Sequence, residues 1–351
     1  MKPEWREFLT HAGVELEGGR VVSFGNPERE KRVVTTGDVL CDLSHEGLIC
    51  AYGDDATKFL QSQLSSDVAQ VSEYQSQLSA YCNPKGRMLA AFRVFQRAGT
   101  YYLRLPREML EPTLKRLKMF VLMSKVTLED ASDSLVHVGY SGPGAVKELE
   151  TALDKAPAQV NDCLTTNGCT VIRIQGPHPR FEIYGELEAM KALWDKLNVR
   201  GAPVGASPWA LLDIMAGIPT IFPATSEAFV PQMANMDLID GVSFSKGCYP
   251  GQEVVARMHY LGKLKRRMYR VRLDTDALPH AGDEVFAEGD QRAEAKGQIV
   301  DAQPHPDGGV AALAVLRIEN AEHDELRLAN AGAALEIRDL PYSLNAETGQ
   351  P

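Results

Sequence analysis

The segment KGCYPGQE at 246–253 sets one thiol between two glycines, two residues after a lysine and just ahead of a helical pattern. Pro250 suits the first turn of a helix, where a missing N–H costs nothing, and residues 252–260 read as about two turns stopped by Gly262. Cys248 then lies just before a helix start, where unpaired amides and the positive end of the helix dipole favour a thiolate. Lys246 adds a positive charge two residues away. Gly247 and Gly251 permit positive φ or close approach of another backbone, as a binding loop requires. The ordinary alternative is a buried structural cysteine in a tight turn. Lysine, glycines and helix start together favour a reactive thiol.

The rest of the composition restricts what such a thiol can serve. At 351 residues the chain exceeds one hydrophobic core, so two or three domains are predicted. A formal net charge of −10 and a pI near 5.4 argue against nucleic acid or an anionic membrane surface as a direct partner. Six scattered cysteines (Cys41, Cys50, Cys82, Cys163, Cys169, Cys248) lack the density of a secreted disulfide scaffold and fit a reducing cytosol. No CxxC pair or histidine at ligand spacing accompanies them, so no tightly held metal is expected. No window approaches ~18 uninterrupted apolar residues, and MKPEWREFL has no apolar signal core, which predicts a cytoplasmic protein without a membrane span.

The elements that must position the thiol form an α+β pattern. Residues 4–12 read as a leading helix, 48–52 as a strand and 54–63 as a helix capped by Asp54 or Asp55, with Phe59, Leu60 and Leu64 on one face. Strands at 77–82 and 88–96 are joined by the turn NPKGR, followed by a strand at 101–105, a helix at 108–120 and a strand at 126–129. That order is a ferredoxin-like split unit. A second such unit is predicted from strands at 136–140, 170–175 and 180–184 and helices at 143–153 and 187–197. From residue 264 the texture changes to short strands at 268–273, 284–287, 295–300, 309–316 and 335–337, with a hairpin tip at HPDGG, which predicts a small β-barrel. The division expected is therefore 1–130, 131–262 ending in the cysteine loop and its helix, 263–342, and a disordered tail at 343–351.

With its loop, Arg257 and the basic run GKLKRR at 262–267, the chain resembles the YgfZ family of folate-binding proteins linked to iron–sulfur clusters. These are relatives of the T-protein aminomethyltransferase of the glycine cleavage system. CDLSHEGLICAYGDDATKFLQSQLSSDV, NPKGRMLAAFRVF and WALLDIMAGIPTIF carry the likeness over about residues 38–340. It implies two T-protein-like α+β units and a C-terminal β-barrel, arranged as a ring around a folate site. T-proteins place an acidic pair where this chain has Ala90 and Ala91, and a pterin-gripping glutamate where it has Met215. Alanine cannot move a proton, so aminomethyl transfer by that route is not expected. Asp213 is the candidate substitute for the missing glutamate.

The resemblance implies tetrahydrofolate or a derivative as cofactor. A flat pterin with a glutamate tail needs an aromatic slot and cations. Phe222, Phe229 and Tyr249 are the slot candidates, and Lys85, Arg87, Lys246, Arg257 and Lys263 the cations, with Gly251, Gln252 and Glu253 completing the loop's share. The alternatives are core packing for the aromatics and solvated surface for the cations. Lys263, Lys265, Arg266 and Arg267 read in part as a strand-edge guard. His45 and His259 receive no catalytic role. The function expected is a monomeric, tetrahydrofolate-binding accessory protein that supports assembly or repair of iron–sulfur clusters in client enzymes, tRNA-modifying ones among them. In it Cys248 is the reactive thiol and Lys246 holds its charge. The alternatives are a folate-dependent aminomethyl or one-carbon transferase, and a folate-binding scaffold whose cysteine is structural.

Overall fold

The computed structural model describes residues 1–289, 294–329 and 332–344. Its two compact units interleave along the chain. The first takes Met1–Ala56, Gln70–Gln77 and Arg93–Asp213, and the second Thr57–Ala69, Leu78–Phe92 and everything from Ile214 onward.

The first unit holds a six-stranded sheet in the order Cys163–Thr166, Cys169–Ile174, Arg180–Gly185, Val136–Ser141, Val39–Asp42, Ala202–Val204. All neighbours are antiparallel except the last pair. Helix Leu187–Leu197 covers it with Met190, Leu193, Trp194 and Leu197, the spacing of a single helical face. Trp194 meets Trp5 of helix Pro3–His11 edge to face, with centroids 5.5 Å apart. Two expectations change here. The second split unit is not self-contained, because its sheet borrows Val39–Asp42 from far upstream and Ala202–Val204 from downstream. Asp55 does not cap helix Ala56–Gln63 through its carboxylate, which instead accepts the Lys125 N–H at 2.7 Å.

A second set of strands in this unit centres on Glu46–Tyr52, paired antiparallel with Thr100–Pro106 on one side and Thr127–Asp130 on the other. Residues 93–97 of strand Met88–Arg97 extend it. Helix Arg107–Lys118 buries Met109, Leu110, Thr113 and Leu117. Long side chains join the two sets of strands. The buried Arg93 guanidinium donates to Asn161 at 2.7 Å and Gln175 at 3.0 Å, and the Phe95 and Tyr184 rings lie 4.4 Å apart.

In the second unit the C-terminal strands form a six-stranded sheet, Leu326–Leu328, Glu284–Ala287, Gly297–Pro304, Val310–Arg317, Arg266–Leu273, Leu335–Arg338. It curls into a half-barrel, and a single bridge between Arg327 and Ala334 draws its two ends together. Val271, Leu273, Val285, Ile299, Ala312, Ala314 and Leu316 fill the concave side. The HPDGG tip closes as expected, with the His305 N–H donating to Gly309 at 3.0 Å and both glycines at positive φ. Strand Leu326–Leu328 and helix Ile318–His323 have no clear period in the sequence and are additions to the predicted set. The strand-edge role suggested for Arg267 gives way to a part-buried fork with Asp237, at 2.7 and 3.0 Å. Of the expected tail, residues 345–351 lie outside the described residues.

Candidate functional site

Helix Gln252–Tyr260 begins where the sequence places it, but its N-cap is Gly251 at φ +81°, so Pro250 precedes the cap and is not in the first turn. A Cβ on Gly251 would collide with the Asn83 carbonyl and come within 2.6 Å of the Gly86 Cα. Gly86, in turn, has room for nothing larger against Val254, at 2.9 Å. The NPKGR turn and the start of the cysteine helix are thus one piece of structure, packed back to back through two glycines.

Lys246 is buried, and its ammonium donates to the carbonyls of Gln61 at 2.6 Å, Leu64 at 2.5 Å and Ser66 at 3.0 Å. These are the orphan acceptors at and beyond the end of helix Ala56–Gln63. Burial pushes the Lys246 pKa down to about 8, which leaves it charged at neutral pH. The Tyr249 ring packs 5.2 Å from Nζ, and Ser243 N–H and Ser65 Oγ tie the preceding loop to the same segment at 2.9 and 2.6 Å. Phe244 stacks on His259, with centroids 3.7 Å apart, and Gln252 Nε2 reaches the Lys246 carbonyl at 3.4 Å. Both ends of the loop are therefore pinned, and Gly247 and Cys248 project from it into solvent. All three ammonium protons serve carbonyls, and among the described residues no hydrogen bond reaches the Cys248 sulfur.

Among six free cysteines Cys248 alone is exposed. Burial pushes the Cys82 thiol up to about 12 and Cys163 to about 11, and raises Cys41, Cys50 and Cys169 as well. Those five act as small apolar side chains. No group of three potential metal ligands occurs among the described residues, nor is any helix there long and apolar enough to cross a membrane.

The folate candidates separate. Phe229 is core, 2% exposed, with its carbonyl accepting the Met88 N–H at 2.8 Å, and Tyr249 is buried beneath Lys246, so neither offers an open slot. Phe222 is half-buried. Arg87 donates to the Ala228 carbonyl, while Lys85, Glu253, Arg257 and Lys263 are exposed. Asp213 is not a free pterin acceptor either, since Arg180 donates to it at 2.7 Å.

The first unit contains a polar cluster that sequence reasoning passed over. Arg104 bonds Glu182 at 2.9 Å and lies 3.8 Å from Glu46. His137 is 3.7 Å from Glu182, and His45 is 3.7 Å from Glu46. Arg180 stacks 4.3 Å from the Trp209 ring. Burial drives Glu46 up to about 7 despite Arg104. Burial would also raise Glu182, but Arg104, His137 and Arg93 hold it near 2. Both histidines are pushed down to about 3 by burial and are neutral. The cluster is therefore a second candidate site. Glu46, His45, Arg104 and Asp213 keep 14–21% of their side-chain surface accessible. His45 Nδ1, Glu46 Oε2, Arg104 Nε, His137 Nε2 and Arg180 Nε are buried without a hydrogen-bond partner. The available signal was a polar or charged residue inside an otherwise apolar strand, as in YYLRLP, VHVGYS and RFEIYG.

Comparison with known proteins places these features in context. A family model described as the GCVT N-terminal domain matches residues 15–216. The tRNA-modifying protein YgfZ of Colwellia psychrerythraea (strain 34H / ATCC BAA-681) is 31% identical over 309 residues, 88% of this chain and 94% of its own length. Its namesake from Yersinia pestis (strain Pestoides F) is 32% identical over 306 residues, covering 87% and 92%. Among solved structures, the glycine cleavage system aminomethyltransferase T from Bartonella henselae aligns over 97% of both chains with a TM-score of 0.73 at 19% identity.

Proposed function

Since the chain belongs to the YgfZ family of the T-protein superfamily, we propose that it is a tetrahydrofolate-binding accessory protein for iron–sulfur cluster assembly or repair in client enzymes, including those that modify tRNA. The observation that carries this reading is the loop at 246–253, which holds its backbone rigidly while leaving a single thiol in solvent. A protein that kept a cluster for itself would need several cysteines converging, and here five are buried. One projecting thiol suits a transient ligand for a partner's cluster. Cys248 would lose its proton to solvent and donate a sulfur lone pair to iron, with no change of oxidation state, and the client would supply the other ligands.

In this reading the pterin lies at the polar cluster of the first unit. Among the cluster's atoms without a hydrogen-bond partner are a carboxylate acceptor, at Glu46, and a guanidinium donor, at Arg104, on side chains that keep part of their surface accessible, and the amino–oxo edge of that ring requires both kinds. When bound, tetrahydrofolate brings a reduced ring able to carry a one-carbon unit. In this reading Glu46 and Arg104 orient its edge and Glu182 keeps Arg104 in place. The transferase alternative is weaker, because Ala90 and Ala91 stand where the resemblance puts the acids that would move protons on folate.

Cys248→Ser should bind tetrahydrofolate like the parent in calorimetric titration yet fail to restore tRNA modification in a deletion strain. Full restoration by the serine variant would defeat the role given to the thiol. Loss of folate binding in Glu46→Ala with Cys248 untouched would locate the cofactor separately, and unchanged affinity would remove the cluster from the proposal.

A further inference from the structure

In strand Arg266–Leu273, Val271 and Leu273 enter the apolar core while Arg270 and Arg272 share the opposite face, about 7 Å apart along the strand. Antiparallel register sets Arg270 directly against Arg338 and Arg272 against Glu336, with Ala311 opposite Arg272 on its other side. Like charges facing each other across a ladder repel. A cavity of about 420 Å³ opens over this face, lined by the three arginines together with Met215, His305 and Asp307. Its volume is that of a small-molecule site.

The positive charge there is incompletely met. Arg270 Nε and Arg272 Nη1 are buried without partners, although Arg272 Nη2 donates to the Gly308 carbonyl. Arg338 donates to Glu336 at 2.6 Å. Asp274, Asp307, Glu336 and Asp339 lie in the electrostatic neighbourhood. Even so, no ion pair to Arg270 or Arg272 forms among the described residues. Burial lowers the pKa of both guanidinium groups, and His305 is likewise pushed down by burial and by Arg272. A bound anion would offset the Arg270–Arg338 repulsion and supply the missing acceptors. Guanidinium forks match phosphate oxygens, and two forks on one strand match two phosphoryl groups.

We propose that this cavity in the C-terminal half-barrel binds a small molecule carrying a diphosphate, gripped by Arg270, Arg272 and Arg338. None of the residues lining the cavity belongs to the cysteine loop or to the polar cluster of the first unit.

Pyrophosphate titrated calorimetrically into the full chain at low salt tests it. Saturable one-to-one binding is expected, with a rise in Tm. Arg270→Gln/Arg272→Gln should weaken binding tenfold or more, and Arg270→Gln alone should do so without lowering the Tm of the unliganded protein, because its opposition to Arg338 is relieved. Arg270→Lys, which keeps charge but loses the fork, should also weaken it, and this variant answers the question should the double variant fail to fold. Absence of saturable binding, affinity unchanged in these variants, or citrate binding as tightly as pyrophosphate would each overturn the assignment.

Discussion

A lysine two residues from a cysteine invites an electrostatic story, and the side chain of Lys246 points to another. An ammonium that donates to three carbonyls within 3.0 Å acts as a fastener for the end of helix Ala56–Gln63, and its influence on Cys248 runs through the loop it holds still. Lys246→Met should therefore leave three inward carbonyls short of donors and cost about 2 kcal/mol of stability in urea denaturation. The rate of Cys248 alkylation should change with the loosened loop. Unaltered stability would show that water satisfies those carbonyls and that the anchor is dispensable. The Cys248 and pyrophosphate tests are likewise decided by single side chains.

At the scale of elements, the cysteine loop depends on contact between the NPKGR turn and the first turn of helix Gln252–Tyr260. Gly251 and Gly247 look alike in the sequence, both flanking the thiol. They differ in their surroundings: at Gly251 positive φ and the Asn83 carbonyl forbid a side chain, whereas a Cβ at Gly247 meets nothing within 4 Å. Gly251→Ala should lower stability by about 2 kcal/mol or more, while Gly247→Ala should lie within about 0.5 kcal/mol of the parent. Equal denaturation midpoints for the two variants would refute the back-to-back packing. Asn235 is a second such device, its amide bonding the Met268 carbonyl at 2.8 Å where strand Leu335–Arg338 does not reach. It lies more than 30 residues from its partner, and nothing in its own neighbourhood of sequence announces it.

For the molecule as a whole, interleaved segments mean that linear cuts sever units. The half-barrel does not end at residue 263. Asn235 and Asp237 bond to strand Arg266–Leu273, and Tyr342 Oη donates to the Gly217 carbonyl at 2.7 Å. A fragment of residues 263–344 should consequently melt at lower temperature than one of residues 214–344, followed by far-ultraviolet circular dichroism. Coincident melts would mean that the strands alone suffice.

Apolar periodicity and turn residues determined most helices and strands by themselves, because those signals are local: Leu187–Leu197 repeats at helical spacing, and HPDGG folds within five residues. The helix after Cys248 and the motif that carries the family likeness were legible for the same reason. What only the tertiary structure decided are pairings between distant residues. Lys246 finds its acceptors 180 to 185 positions upstream, Val39–Asp42 joins a sheet begun a hundred residues later, and Glu46, Arg104 and Glu182 meet from three strands. A side chain's chemistry is written at its own position, but which charge it faces and how much water it loses depend on what the fold brings beside it.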